Sequence, residues 1–300
     1  MQIYCLYCIP GLPRTITMSK KRDPRIKRSF RHTVMQYLRW LPAQLGIVNR
    51  GAFNLELKTI RPDDIFIVSY PKSGSTWLSF IVAYMKAGVK NVISFDEMEK
   101  VVPSVYGNED MIDAMSERRI IKSHHALFDH YPHMVYIYRD YRDVLVSFYH
   151  YQVKLGFFAG SFSAFIRSKG NLELNGNWKE HVAAALVFNE QQPHRCFMIQ
   201  YELLAPNFES IARGLAVFCG FNERDIDFAL LEERTSFGSM RANEAKLGSQ
   251  FMAQTKSHFV REGKSGGWQD VFTGEDLAYL YADRELVNLM ERLGYKCDTA

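Results

Sequence analysis

Asp64-Ile65-Phe66-Ile67-Val68-Ser69-Tyr70-Pro71-Lys72-Ser73-Gly74-Ser75-Thr76-Trp77 opens as a short unbroken apolar run, stops at a proline, and passes through a small hydroxyl-rich turn into residues of helical spacing. Such a strand-turn-helix is an anion site. The amides of the turn and of the first helical turn have no partner within the helix, and the helix dipole adds partial positive charge, so phosphate or sulfate is the favoured guest. Lys72 sits at the lip of the turn. In the common phosphate loop, G-x-x-x-x-G-K-[ST], lysine follows the second glycine. Here it precedes the only glycine, so the loop is like a P-loop in shape and different in how its cation is delivered.

Working outward, further apolar runs occur at Arg119–Ser123, Met134–Tyr138 and Arg195–Tyr201. Helical patterns lie between them, at about 76–86, around 94–101, from Asp143 onward, and from Phe208 to Gly220. Strands alternating with helices predict an α/β fold, with a mostly parallel central sheet and helices on both faces. In such sheets ligands sit at the carboxyl ends of the strands, which predicts Lys72, His124, Arg139 and Tyr201 along one edge. No repeat or Pro/Gly/Ser linker divides the chain. The expected organisation is a basic, poorly ordered tail over residues 1–29, containing Lys20, Lys21, Arg22, Arg25, Lys27 and Arg28, and one domain over residues 30–300.

The loop Tyr70-Pro71-Lys72-Ser73-Gly74-Ser75-Thr76-Trp77 resembles the 5′-phosphosulfate loop of the cytosolic-type sulfotransferases, Y-P-K-S-G-T-T-W, with one conservative change. Three later segments extend the likeness in the family's order. Arg119-Ile120-Ile121-Lys122-Ser123-His124 resembles R-x-I-K-[ST]-H, and Tyr138-Arg139-Asp140-Tyr141-Arg142-Asp143-Val144-Leu145-Val146-Ser147 resembles the 3′-phosphate motif, with Tyr141 in place of a proline. Arg261-Glu262-Gly263-Lys264-Ser265-Gly266-Gly267-Trp268 resembles R-K-G-x-x-G-x-W, with Glu262 in place of a lysine, a change Lys264 could offset.

The resemblance implies transfer of a sulfuryl group from 3′-phosphoadenosine 5′-phosphosulfate (PAPS, leaving PAP) to a hydroxyl or amine, without a metal. It implies that His124 is the general base and that Lys72 and Lys122 stabilise the leaving phosphate. Lys72, Ser73, Gly74, Ser75, Thr76 and Trp77 would hold the 5′ end of the cofactor. Arg139, Ser147, Arg261 and Gly263 would hold the 3′-phosphate, and Tyr201, Thr235 and Phe237, with Trp77, the adenine. Imidazole suits the base because its ordinary pKa lies near neutrality. The neighbouring His125 is set aside on the expectation that strand alternation turns it to the opposite face.

Acceptor contacts are expected from the less patterned aromatic residues, Tyr106, Phe128 and Tyr151 first, then Tyr149, Phe157 and Phe158. The segment from Arg241 to Phe259 is expected to act as a lid. The family's dimer motif is not matched, since only Thr273 survives among Gln269, Thr273, Gly274 and Ala278. That dimer is not expected.

The bulk properties agree. The net charge of +4, on nearly equal numbers of acids and bases, excludes a general polyanion-binding surface, so nucleic acid is not implied. Five scattered cysteines, Cys5, Cys8, Cys196, Cys219 and Cys297, argue against a disulfide framework and fit a reducing compartment. No apolar run reaches the ~18 residues that cross a bilayer, and the first residues lack a secretory pattern. A cytoplasmic protein acting on a small, apolar acceptor is the expectation. Two other readings use the same residues: a P-loop-type nucleotide kinase or NTPase, which needs lysine at a different loop position, and a non-catalytic nucleotide-binding relic of the fold, for which Glu262 speaks.

Overall fold

The computed structural model describes residues 57, 59–168, 177–247, 263 and 265–297. In chain order the elements are β1 (Ile65–Val68), α1 (Ser75–Ala87), α2 (Phe95–Val101), α3 (Glu109–Ala114), β2 (Ile120–Ser123), β3 (His133–Tyr138), α4 (Tyr141–Lys154), α5 (Phe162–Arg167), α6 (Trp178–Gln191), β4 (Cys196–Gln200), α7 (Tyr201–Leu204), α8 (Phe208–Cys219), α9 (Phe228–Thr235), α10 (Phe237–Leu247), α11 (Gly274–Tyr281) and α12 (Arg284–Arg292).

All pairings in the sheet are parallel, in the order β2-β1-β3-β4. Every residue of β1 is buried because both faces of the sheet are covered, which is why the strand reads as a continuous apolar run instead of an alternation. Phe66 and Val68 join Ile121, Met134 and Tyr136 under Val144, Leu145, Trp178 and Val182 of α4 and α6. Ile65 and Ile67 join Ile120, Val135 and Ile137 on the other face, under Leu78 and Ile81 of α1 and Leu215 and Leu231 of α8 and α9.

The connection from β1 leads to one side of the sheet and that from β3 to the other. The β1/β3 boundary is therefore the switch point, where the carboxyl ends of strands leave a crevice. At the opposite end, Arg119 forks onto Asp64, at 2.7 Å (Nε to Oδ1) and 2.5 Å (Nη2 to Oδ2), and neither residue is exposed. That pair ties β2 to β1 away from the crevice.

Helix α4 starts earlier than the expected Asp143. Asp140 is its N-cap, taking the Arg142 amide at 2.9 Å and forking with the Arg142 guanidinium, so the turn closes without the proline of the family motif. Among the described residues no helix is long and apolar enough to cross a membrane. The basic tail of residues 1–29, Arg261, Glu262, Lys264, and the part of the expected lid beyond Leu247 lie outside the described residues, while 241–247 continue α10.

Candidate active site

The β1–α1 turn is built from two left-handed residues. Lys72 has φ 70° and is the one non-glycine residue with positive φ among the described residues, and Gly74, the N-cap of α1, has φ 103°. Gly74 is required twice over: a Cβ there would overlap the ring of Tyr201. Helices α2, α4, α6 and α12 carry side-chain caps, but the first turn of α1 has neither a side-chain cap nor an acidic residue. Ser73 Oγ and Trp77 Nε1, both buried atoms, have no hydrogen-bond partner among the described residues. Donors left open on an uncapped helix start fit an anionic group.

From the adjacent edge of β2, Lys122 reaches this turn: its Nζ donates to Thr76 Oγ1 at 3.4 Å. Lys122 is 9 % exposed, and burial lowers its pKa against the opposing pull of Glu99. Lys72 Nζ lies 4.4 Å from the ring centroid of Tyr151 on α4.

His124 stands just past β2 and is half-buried. Its Nδ1 lies 2.8 Å from the carbonyl oxygen of Ser69, just past β1, and its backbone N–H donates to the Tyr106 hydroxyl at 2.9 Å. A carbonyl only accepts, so Nδ1 carries the proton and Nε2 is bare. Burial, and then the charge of Lys122, push the His124 pKa down to about 3, so the ring is neutral at neutral pH. The strand ends at Ser123, so alternation is not what separates His124 from His125. Both rings lie against Tyr106, with centroids 6.0 Å and 5.1 Å away, and the His124 ring is held at the Ser69 carbonyl, just past the end of β1.

Arg139 leaves β3 toward the same crevice. Its Cζ lies 4.2 Å from the Tyr201 ring centroid and its Nη2 lies 3.3 Å from Asp143 Oδ2. Asp143 also accepts the amides of Gly266 at 2.8 Å and Trp268 at 3.0 Å, so one carboxylate orients the arginine and docks the glycine-rich segment. Ser147 is one helical turn beyond Asp143 on α4, and Tyr151 one turn further. Residues at i and i+4 share a helix face, so Ser147 falls between the Arg139–Asp143 pair and the Lys72–Tyr151 pair.

Tyr201 joins the two groups. Its ring packs on Gly74, meets Trp77 edge-on at 5.6 Å, and its hydroxyl lies 3.5 Å from the Gly263 carbonyl. Gly263, at φ 63°, is pressed on Phe237, with 2.6 Å between a built Cβ and Phe237 Cδ2. Two further expected residues are held within the packed interior. Thr235 is fully buried and donates its hydroxyl to the Leu231 carbonyl at 2.8 Å within α9. Phe128, 6 % exposed, is a core residue packed edge-on to Tyr136 and His181. The sequence reading gave no role to Ser69, to His181 or to the second duty of Asp143. Asp143 lies inside the motif that carries Arg139, whereas Ser69 and His181 carry no motif.

The sequence is similar to dog sulfotransferase 1B1, 28 % identical over 73 % of this chain and 81 % of that protein. It is likewise similar to human sulfotransferase 1E1, 29 % identical over 73 % of this chain and 82 % of the relative. The fold is similar to mouse sulfotransferase SULT7A1 complexed with PAP, with a TM-score of 0.60 and 23 % identity over 77 % of this chain and 84 % of that one. Retinol dehydratase in complex with androsterone and the inactive cofactor PAP shows a TM-score of 0.59 and 23 % identity, over 77 % and 82 % of the two chains. The profile of the sulfotransferase domain matches residues 62–287, and with that match the chain belongs to the sulfotransferase domain family.

Proposed function

We propose that the protein transfers the sulfuryl group of 3′-phosphoadenosine 5′-phosphosulfate to the hydroxyl of a small, apolar alcohol or phenol, with His124 as general base. The observation that carries this is the pairing of a bare His124 Nε2, left by the bond from Nδ1 to Ser69, with a lysine two residues earlier, on β2, that hooks the anion turn through Thr76. When bound, the cofactor supplies an activated sulfuryl group on a phosphate leaving group.

The uncapped amides of α1, with Ser73 Oγ and Trp77 Nε1, suit its 5′ end, and Arg139 with Ser147 its 3′-phosphate. Tyr201, held between the two, and Phe237 over Gly263 form apolar walls suited to a base. Lys72 and Lys122 put fixed positive charge where the leaving phosphate oxygen gains charge, which favours the transition state over the ground state. His124 Nε2 accepts the acceptor's proton. An imidazole with a pKa of about 3 is a weak base. Burial is the larger cause and the charge of Lys122 the second, so negative charge brought beside Lys122 relieves the second and raises the basicity of the ring. Tyr106 and Tyr151 flank His124 and Lys72, where an acceptor ring would lie. The described thiols Cys196, Cys219 and Cys297 are free, which suits a cytoplasmic setting.

The test is transfer of labelled sulfate from the donor to a panel of hydroxylated compounds, alongside calorimetric binding of adenosine 3′,5′-bisphosphate. Binding and transfer together support the reading. Magnesium-dependent ATP turnover without either overturns it.

A further inference from the structure

His181, on α6, lies 57 residues from His124 in sequence and is 2 % exposed. Its Nε2 is 3.2 Å from the carbonyl oxygen of His124, and its Nδ1 is 2.7 Å from the hydroxyl of Tyr136, a fully buried residue of β3. We propose that Tyr136 and His181 form a buried brace that holds the main chain of His124, making His181 a positioning residue for the transfer reaction. This rests on the reading of His124 as the base.

The direction of each bond follows from what each atom can do. The His124 carbonyl only accepts, so His181 Nε2 bears a hydrogen. Burial lowers the His181 pKa to about 4, so the ring is neutral and Nδ1 is bare. Tyr136 must then donate its O–H to Nδ1. Donation runs one way, from Tyr136 through His181 to the peptide of His124, and reversing either bond sets two acceptors against each other.

The other side of His124 is held as well. Its N–H donates to Tyr106, its C=O accepts from His181, and its ring is tied to Ser69. With both peptide groups pinned, the Cα–Cβ bond is held in one direction, and from there Nδ1–H reaches the Ser69 carbonyl. A histidine serving only to fill space would be better replaced by phenylalanine, because an imidazole buried without partners costs desolvation energy with no return. The surroundings fix the brace from two more directions. Phe128 meets the His181 ring edge-on at 5.3 Å, and Tyr70, the first residue of the anion turn, does so at 5.8 Å.

The readout is the tautomer of His124, observed by ¹⁵N NMR of the imidazole nitrogens in the full chain at neutral pH, in the wild type and in His181→Gln, His181→Leu and Tyr136→Phe. The wild type is expected to show a protonated Nδ1 and a bare Nε2. His181→Leu and Tyr136→Phe should lose that single pattern as the two tautomers mix. His181→Gln, whose carboxamide N–H can still reach the His124 carbonyl, should restore it. Adenosine 3′,5′-bisphosphate should bind all four alike. If His181→Leu fails to fold, Tyr136→Phe carries the test. An unchanged His124 pattern in the leucine and phenylalanine variants overturns the brace and leaves the base intact. A wild type with a bare Nδ1 overturns the assignment of His124 itself.

Discussion

His124 Nδ1 and the Ser69 carbonyl lie 2.8 Å apart across the ends of two adjacent parallel strands, in which Val68 pairs with Ser123. The base is therefore aimed by the same strand that feeds the anion turn, and aim and grip share one rigid element. Removing the imidazole should leave the grip intact. His124→Ala is expected to lower sulfate transfer by about 10²–10⁴, the usual contribution of a positioned proton acceptor, with unchanged affinity for adenosine 3′,5′-bisphosphate. Equal turnover by wild type and variant would remove His124 from the mechanism.

Gly74 is the point where the turn, Tyr201 and Arg139 meet. Gly74→Ala forces a side chain into a left-handed residue, costing about 1–2 kcal/mol, and pushes the Tyr201 ring off its seat under Arg139. The thermal midpoint and the nucleotide affinity should fall together. A variant that loses stability yet binds as tightly as the wild type would separate the turn from the site.

Much of this was legible beforehand, for a physical reason. A sheet covered on both faces writes its strands as unbroken apolar runs, and its ligand edge follows from where those runs stop. Lys72, Lys122, His124, Arg139 and Tyr201 all follow from the ends of strands. His181 did not, because a single histidine on the apolar face of a helix, with Trp178, Val182 and Ala185 around it, has the same pattern as a core residue. Phe128, near His124 in sequence, is carried into the core by the turn at Phe128–His130, and its aromatic type is the same whether it lines a pocket or a core. Thr235 matched its motif, yet its hydroxyl is held by Leu231 one turn earlier in the same helix, a choice that composition does not reveal.

Arg139 should act on one phosphate only. Charge-assisted hydrogen bonds contribute about 1.5–3 kcal/mol, so Arg139→Ala should weaken adenosine 3′,5′-bisphosphate by roughly 10- to 100-fold. Adenosine 5′-monophosphate, without the 3′-phosphate, should bind wild type and variant alike. Parallel calorimetric titrations of the two nucleotides decide it, and an equal loss for both would move Arg139 away from the 3′ end.

Two neutral histidines, His181 buried and His124 half-buried, make stability depend on pH. The pKa values of His124 and His181 are lowered from 6.5 to about 3 and about 4, so below 6.5 the unfolded chain binds protons that the native state refuses. Their contribution is complete above 6.5 and is lost as pH falls toward those values, with a slope of about 1.4 kcal/mol per pH unit for each group. Urea midpoints should decline steadily from about pH 7 to about pH 5, and His181→Leu should flatten part of that decline. A midpoint constant over the range would mean that both rings accept protons in the folded protein.

A crystal structure with adenosine 3′,5′-bisphosphate bound tests the central claim most directly. The account predicts the 5′-phosphate on the amides of the Lys72–Trp77 turn, the 3′-phosphate on Arg139, and His124 Nε2 facing the open space beside the 5′-phosphate. A nucleotide that touches neither Lys72 nor Arg139 would contradict it.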